Sequence, residues 1–160
     1  MDYQIGDKVI HSNYGLGEII QMDEKTIHGQ PTSCYVVRVR DLTIWVPADD
    51  SVETRLRLPT SKMEFEKLFA IFRALGEPLS EDRMERKTQL IERMKDGTLE
   101  SICGVLRDLT SFRKAKKFND NDNQYFQRAQ SLLMDEWMLV FRVPLGHAQQ
   151  ELGKLLGTYS

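Results

Sequence analysis

The sequence predicts an α+β chain, with a small twisted β-sheet or half-open barrel in residues 1–60 and an all-helical region in residues 61–160. Three observations carry that prediction. Before Pro59 the apolar residues come in short runs or alternate with polar ones, whereas after it they recur every three or four positions. Turn-forming residues punctuate the first part at short intervals. Charge divides at the same place: residues 1–60 hold six Lys and Arg against nine Asp and Glu, and residues 61–160 hold sixteen against fifteen.

Five short strands are expected, in "KVIH", "LGEIIQM", "CYVVRVR", "TIWVP" and "RLRL". They are separated by Asn13-Tyr14-Gly15, by His28-Gly29-Gln30-Pro31 and by Asp41-Leu42, all rich in turn formers. Alternation in "YVVRVR" puts Tyr35, Val37 and Val39 on one face and Val36, Arg38 and Arg40 on the other, so the first three should face a core. Gly15-Leu16-Gly17 raises the question of a phosphate loop. Such a loop needs a helix after its glycines and a third glycine or a lysine, and here strand-like Glu18-Ile19-Ile20 follows. We read the pair as chain geometry, with Gly15 supplying a positive φ and Gly17 a close backbone approach or a bulge.

After Pro59 the helices follow in turn. Ser61 and Glu64 form a capping-box pattern before the stripe Phe65, Leu68, Phe69, Phe72 and Leu75, which closes at Gly76; this helix should cover the sheet or join the two halves. A second helix is expected from about Ser80 to Asp96, with Leu90, Ile91 and Met94 inward and Gly97 as its stop. Thr98 caps a third, with Leu99, Ile102, Val105, Leu106, Leu109 and Phe112 as its stripe. "NDNDN" at 119–123 opens a fourth long helix with Tyr125, Ala129, Leu132, Leu133 and Trp137, and Pro144 suits the first turn of a fifth that ends near Leu156.

Composition excludes several classes of function. A net charge of −2 gives no global field for nucleic acid or an anionic membrane, so any such partner must be met locally. The local candidate is residues 83–117, with ten basic and five acidic side chains. Cys34 and Cys103 stand far apart without clustered histidines, which suggests neither zinc nor a disulfide framework. The polar start and the absence of a long apolar run predict a cytoplasmic chain with no membrane partner. His11, His28 and His147 lack a nucleophile context, and no acid pair sits in an apolar setting, so no enzyme, cofactor or small-molecule substrate is expected.

The motifs "IGDKVIHSNYGLGEI", "TIHGQ", "YVVRV", "LTIWVPADD" and "LRLP", in that order, resemble the polymerase-interacting domain of the CarD/CdnL family, which also occurs in transcription-repair coupling factors. "LIERMKDGTLESICGVLRDL" and the lysine-rich segment after it are similar to the family's helical domain. The likeness spans roughly residues 3 to 135 and fades after Trp137. It implies a Tudor/SH3-like β domain in residues 1–60 that docks on the β subunit of bacterial RNA polymerase by pairing an edge strand with a strand of that subunit. It further implies a helical domain in residues 61–160 that touches promoter DNA at the upstream edge of the melted bubble.

Carried over residue by residue, the polymerase contact falls on Lys25, Thr26 and Ile27 and on Trp45. The family often has Arg or Met at the last position, and a tryptophan there is either an interface anchor or a core residue. The DNA-contacting segment falls on "SEDRMERKTQ", where many relatives carry a wedge tryptophan; Arg83 stands in its place with Met84 beside it. An arginine holds phosphate rather than blocking re-stacking of the fork, so open-promoter stabilisation should be smaller. Arg86, Lys87, Arg113, Lys114, Lys116 and Lys117 supply the remaining charge, as sequence-independent contacts to promoter DNA. Four of them on phosphates give a slope of log K against log salt of about −3.6. The alternative is a polymerase-bound protein adaptor without direct DNA contact. A methyl-lysine cage of Tyr14, Tyr35 and Trp45 is opposed by the alternation, which keeps the three rings from converging.

Overall fold

A computed structural model describes residues 2–157, which form two compact units divided between Pro59 and Thr60. The first contains β1 (Lys8–His11), β2 (Gly15–Ile27), β3 (Gln30–Val39), β4 (Leu42–Pro47), the short helix α1 (Val52–Arg55) and β5 (Leu56–Arg57). The strands make one antiparallel sheet in the order β4-β3-β2-β1-β5. All five expected strands are present; α1 was not foreseen. β2 also runs beyond its apolar stretch, through the polar residues to Ile27. His28 and Gly29, with φ of 52° and 76°, make the two-residue turn whose twist matches a hairpin, so backbone pairing continues from Asp23–Cys34 to Ile27–Gln30 through mostly polar side chains.

Tyr35, Val37 and Val39 face the core as alternation predicted, together with Tyr3, Val9, Ile19, Val46, Val52 and Leu56. The Tyr3 hydroxyl donates to the Leu56 carbonyl at 3.3 Å, and the Tyr35 hydroxyl accepts from the Tyr3 amide at 3.2 Å, so both buried phenols are satisfied. Gly15 has φ of 88° and itself opens β2 rather than a helix, as the turn reading expects. A Cβ on Gly17 would lie 2.7 Å from Val39 Cγ2 and 2.8 Å from the Arg38 carbonyl oxygen, so this glycine permits the close packing of β2 on β3. The bulge falls slightly later, between Ile19 and Gln21.

His11 closes the β1–β2 turn. Its Nδ1 accepts from the Asn13 and Tyr14 amides at 3.1 and 3.3 Å, an arrangement open only to the neutral ring. Burial, then the nearby Arg55 cation, hold its pKa below the ordinary histidine value. A depressed folded-state pKa stabilises the fold above the unfolded value of about 6.5, and the contribution is lost as pH falls through the folded value. Thermal midpoints of the β unit are therefore expected to drop between pH 7 and pH 5 (about neutral to mildly acid). His11→Asn, whose amide oxygen can accept in place of Nδ1, should flatten that dependence; an equally steep profile in this variant would remove His11 as its source.

The second unit contains α2 (Lys62–Arg73), α3 (Arg83–Met94), α4 (Leu99–Ala115), α5 (Asp120–Phe141) and α6 (Leu145–Leu156). Ser61, Asp82, Thr98 and Asn119 each accept a backbone amide three residues on, capping the first four of these helices. Phe65, Leu68 and Phe72 turn α2 toward α4 and α6, so this helix belongs to the helical core. It ends at Arg73, and Leu75 is wholly exposed rather than part of its stripe. Trp137 packs against Phe65, Phe69 and Phe141 in that core, as expected. Ile91 points outward, against expectation, because the inner face of α3 runs through Arg86 and Leu90.

Asp108, in the middle of α4, is buried and held by two arginines. Arg93 Nη1 of α3 lies 2.8 Å from its Oδ2, and Arg107 Nε lies 2.9 Å from its Oδ1. Arg107 Nη1 donates to the Ile71 carbonyl at 3.1 Å, and a Cβ on Gly76 would collide with the Asp108 carboxylate. The segment Val105-Leu106-Arg107-Asp108-Leu109 thus ties α2, α3, α4 and the loop after α2 together. Two of the ten cations counted between residues 83 and 117 are thereby engaged inside the fold.

Candidate functional surfaces

β4 is an end strand of the sheet; among the described residues no strand pairs with its outer side. Which of its backbone groups point outward follows from the ladder. Ala48 donates to the Ser33 carbonyl at 2.8 Å, and in an antiparallel pair every second residue bonds the neighbouring strand. Val46, Ile44 and Leu42 therefore bond β3, while Thr43 and Trp45 turn their amides and carbonyls toward the free rim. Pro47, which has no amide to offer, occupies the next outward position.

Trp45 stands on this rim and not in the core, with 36% of its surface exposed. Its Nε1 donates a long hydrogen bond to Asp23 Oδ2 at 3.4 Å, and Lys25 Nζ lies 4.1 Å from the ring centre. The register explains the grouping. Trp45 pairs with Val36, Asp23 with Cys34 and Lys25 with Thr32, so the three side chains share the sheet face opposite the core. The resemblance implies Lys25 and Trp45 as separate polymerase contacts and gives no signal for Asp23; that the three meet follows from the β2–β3–β4 register. Thr26 and Ile27 end β2 opposite Pro31 and Gln30; Thr26 is exposed and Ile27 half-buried. Tyr35 is buried in the core on the other face, so no aromatic cage with Trp45 exists.

In the helical unit, Arg83, Met84 and Lys87 lie exposed on α3, and Met84 keeps 71% of its surface open. Lys114 is exposed in the last turn of α4, Lys116 is its C-cap, and Lys117 follows, also exposed. Arg113 is exposed too, but its guanidinium lies 5.1 and 4.7 Å from the ring centres of Phe118 and Phe126, which fixes it against the start of α5.

Arg86 must be removed from this set. It is 3% exposed, with Nε and Nη2 donating to the two carboxylate oxygens of Asp122 at 2.8 and 3.0 Å and Nη1 donating to the Ser80 and Glu81 carbonyls at 3.0 and 3.2 Å. Phe112 lies beneath the guanidinium, 4.4 Å away. Asp122 is also the third residue of α5 and accepts from the Asn119 amide in a capping box. The fork-shaped pair thus joins the start of α3, the end of α4 and the start of α5, and the first two of these helix ends carry the exposed cations.

The remaining reactive groups are quiet. Cys34 and Cys103 are free and buried, and burial pushes the Cys103 thiol up to about 12. No helix among the described residues is long and apolar enough to cross a membrane.

Comparison with known proteins gives two successive matches. Residues 3–64 match the family model described as the CarD-like/TRCF RID domain, and residues 67–153 match that of the CarD C-terminal domain. The second match continues past Trp137, where the likeness had been expected to fade. A Bacillus subtilis (strain 168) protein named "Putative transcription factor YdeB" is 25% identical over 140 residues, covering 84% of this chain and 89% of that protein. With both family models matched in order, one on the sheet and one on the helices, the chain belongs to the CarD-like family.

Proposed function

We propose that this protein is a non-enzymatic transcription regulator that docks on the β subunit of RNA polymerase through the rim of β4 and holds promoter DNA by sequence-independent contacts to its backbone. The observation that carries the reading is the rim itself: two outward-facing residues, Thr43 and Trp45, with the Trp45 indole exposed and steadied by Lys25 and Asp23. Strand addition takes its affinity from such a rim, and an aromatic ring beside it supplies an anchor whose pose is already ordered before binding. Family membership and the transcription-factor name of the Bacillus relative support the setting.

On the helical unit, Arg83, Lys87, Lys114, Lys116 and Lys117 are the phosphate contacts, with Arg113 held alongside and Met84 the apolar side chain at the wedge position. The test is titration of the chain against the isolated polymerase β-subunit lobe and, separately, against forked promoter DNA. Trp45→Ala is expected to weaken the lobe complex by about 2 kcal/mol, roughly thirtyfold, and leave DNA affinity alone. Lys116→Gln with Lys117→Gln is expected to do the reverse and to flatten the salt dependence by about two contacts' worth. Unchanged lobe binding in Trp45→Ala defeats the docking surface; absence of any DNA retention at low salt makes the chain an adaptor.

A further inference from the structure

The β unit has a second free rim. β1 pairs with β2 only from Gly15 to Glu18. The chain before β1 extends that cover by one residue: the Gly6 amide donates to the Ile19 carbonyl at 2.7 Å, and the Ile19 amide donates to the Asp7 carbonyl at 2.9 Å. Among the described residues no strand pairs with that side of β2 from Gln21 to Ile27. The ladder with β3 shows which groups lie there. The phase of the β3–β4 pair leaves Thr32, Cys34 and Val36 to bond β2, where their partners are Lys25, Asp23 and Gln21. Met22, Glu24 and Thr26 therefore turn their amides and carbonyls outward, three alternate residues without a proline against the two on β4.

By backbone alone β2 is the longer template, yet its rim is not open. Asp23 Oδ1 accepts the Glu24 amide at 2.8 Å, so a side chain takes the middle donor of the three. The other oxygen of the same carboxylate, Oδ2, accepts from Trp45 Nε1 at 3.4 Å, beside the β4 rim. The register makes both contacts possible, since Asp23 stands opposite Cys34, next to Glu24 in the chain and on the same sheet face as Trp45. We propose, resting on the docking reading above, that Asp23 is a specificity-determining residue that directs the visiting strand to β4 and away from β2. A strand arriving at β2 has to offer a carbonyl to the Glu24 amide, and there it meets a carboxylate already bonded to that donor, whose negative charge opposes it. At β4 the same strand finds Thr43 and Trp45 facing outward and the indole already ordered.

Amide hydrogen exchange of the full-length chain, read by NMR with and without the isolated polymerase β-subunit lobe, tests this. In the free chain Asp23→Ala should speed exchange of the Glu24 amide by about three- to tenfold, the protection of one net hydrogen bond, and shift the Trp45 indole N–H resonance. With the lobe bound, the wild-type chain should gain protection at the outward amides of β4 alone, and Asp23→Ala should spread it to Met22, Glu24 and Thr26. Adding Glu24→Pro to Asp23→Ala removes the donor itself and should return the footprint to β4. Asp23→Asn has one oxygen where the carboxylate has two. Kept on the Glu24 amide, that oxygen should hold exchange there at the wild-type rate and confine the footprint to β4, while the released indole weakens the lobe complex about threefold. An Asp23→Ala chain whose Glu24 amide exchanges at the wild-type rate overturns the closed rim. One that exchanges fast yet keeps its whole footprint on β4 overturns the directing role. A wild-type chain that binds the lobe with no footprint on β4 defeats the docking reading and the directing role with it, while the free-chain exchange, measured without the lobe, still decides the cap.

Discussion

Arg86→Ala is expected to destabilise the helical unit by about 3–5 kcal/mol, the usual cost of leaving a buried charge without its partner. The size follows from what remains behind. Asp122 is 1% exposed, and with the guanidinium gone it keeps only the Asn119 amide for its negative charge, while the Ser80 and Glu81 carbonyls and the face of Phe112 lose their donor and cation. Against a typical total of about 5–15 kcal/mol, such a loss brings the unit close to unfolding. Urea midpoints of the two units, followed by tryptophan emission and helical signal, measure it. Arg86→Met combined with Asp122→Asn, which removes both charges and keeps an oxygen for the Asn119 amide, should recover most of the loss. A phosphate-binding arginine behaves differently: its removal leaves the urea midpoint alone and flattens the salt dependence of DNA binding by about one contact. That second pattern would return Arg86 to the DNA surface.

The misreading of Arg86 shows where the sequence stops being legible. Local signals were reliable: Ser61, Thr98 and Asn119 cap the helices they precede, because capping needs only neighbours in the chain. The alternation in "YVVRVR" correctly divided core from outer face for the same reason. On α3 the apolar residues Leu90, Ile91 and Met94 suggest an inward direction that rotates the helix toward Ile91. The actual inner line, Arg86 and Leu90 four residues apart, contains a charge that is tolerated only because Asp122, thirty-six residues later, comes to meet it. No local pattern announces such a partner. Asp108 repeats the case through Arg93, which reaches it from α3, while Arg107 is its neighbour in α4. The rim of β4 is non-local in another sense: whether a strand lies at an edge depends on the order of all five, and "TIWVP" alone reads the same in the middle of a sheet.

Thr43→Pro is expected to separate that rim from the sheet it belongs to, and to weaken the complex with the polymerase β-subunit lobe by about 1–3 kcal/mol, roughly five- to 150-fold, with little change in the stability of the β unit. Thr43 is one of the outward residues, so its amide serves no bond to β3, and the proline ring removes a donor only from the side where a visiting strand would lie. The chain already accepts a proline in the same phase at Pro47. Ile44→Pro is the internal control: its amide faces β3, so this variant should lose sheet stability, and with it binding, through the fold. The contrast uses the twofold alternation of the strand as its ruler, since two neighbouring residues of one strand are predicted to fail in different ways. Lobe binding that survives Thr43→Pro but falls with Trp45→Ala would mean that the indole is recognised without strand addition, on the face of the sheet rather than along its rim. Binding lost in Thr43→Pro with a wild-type melt is the result that only an added strand explains.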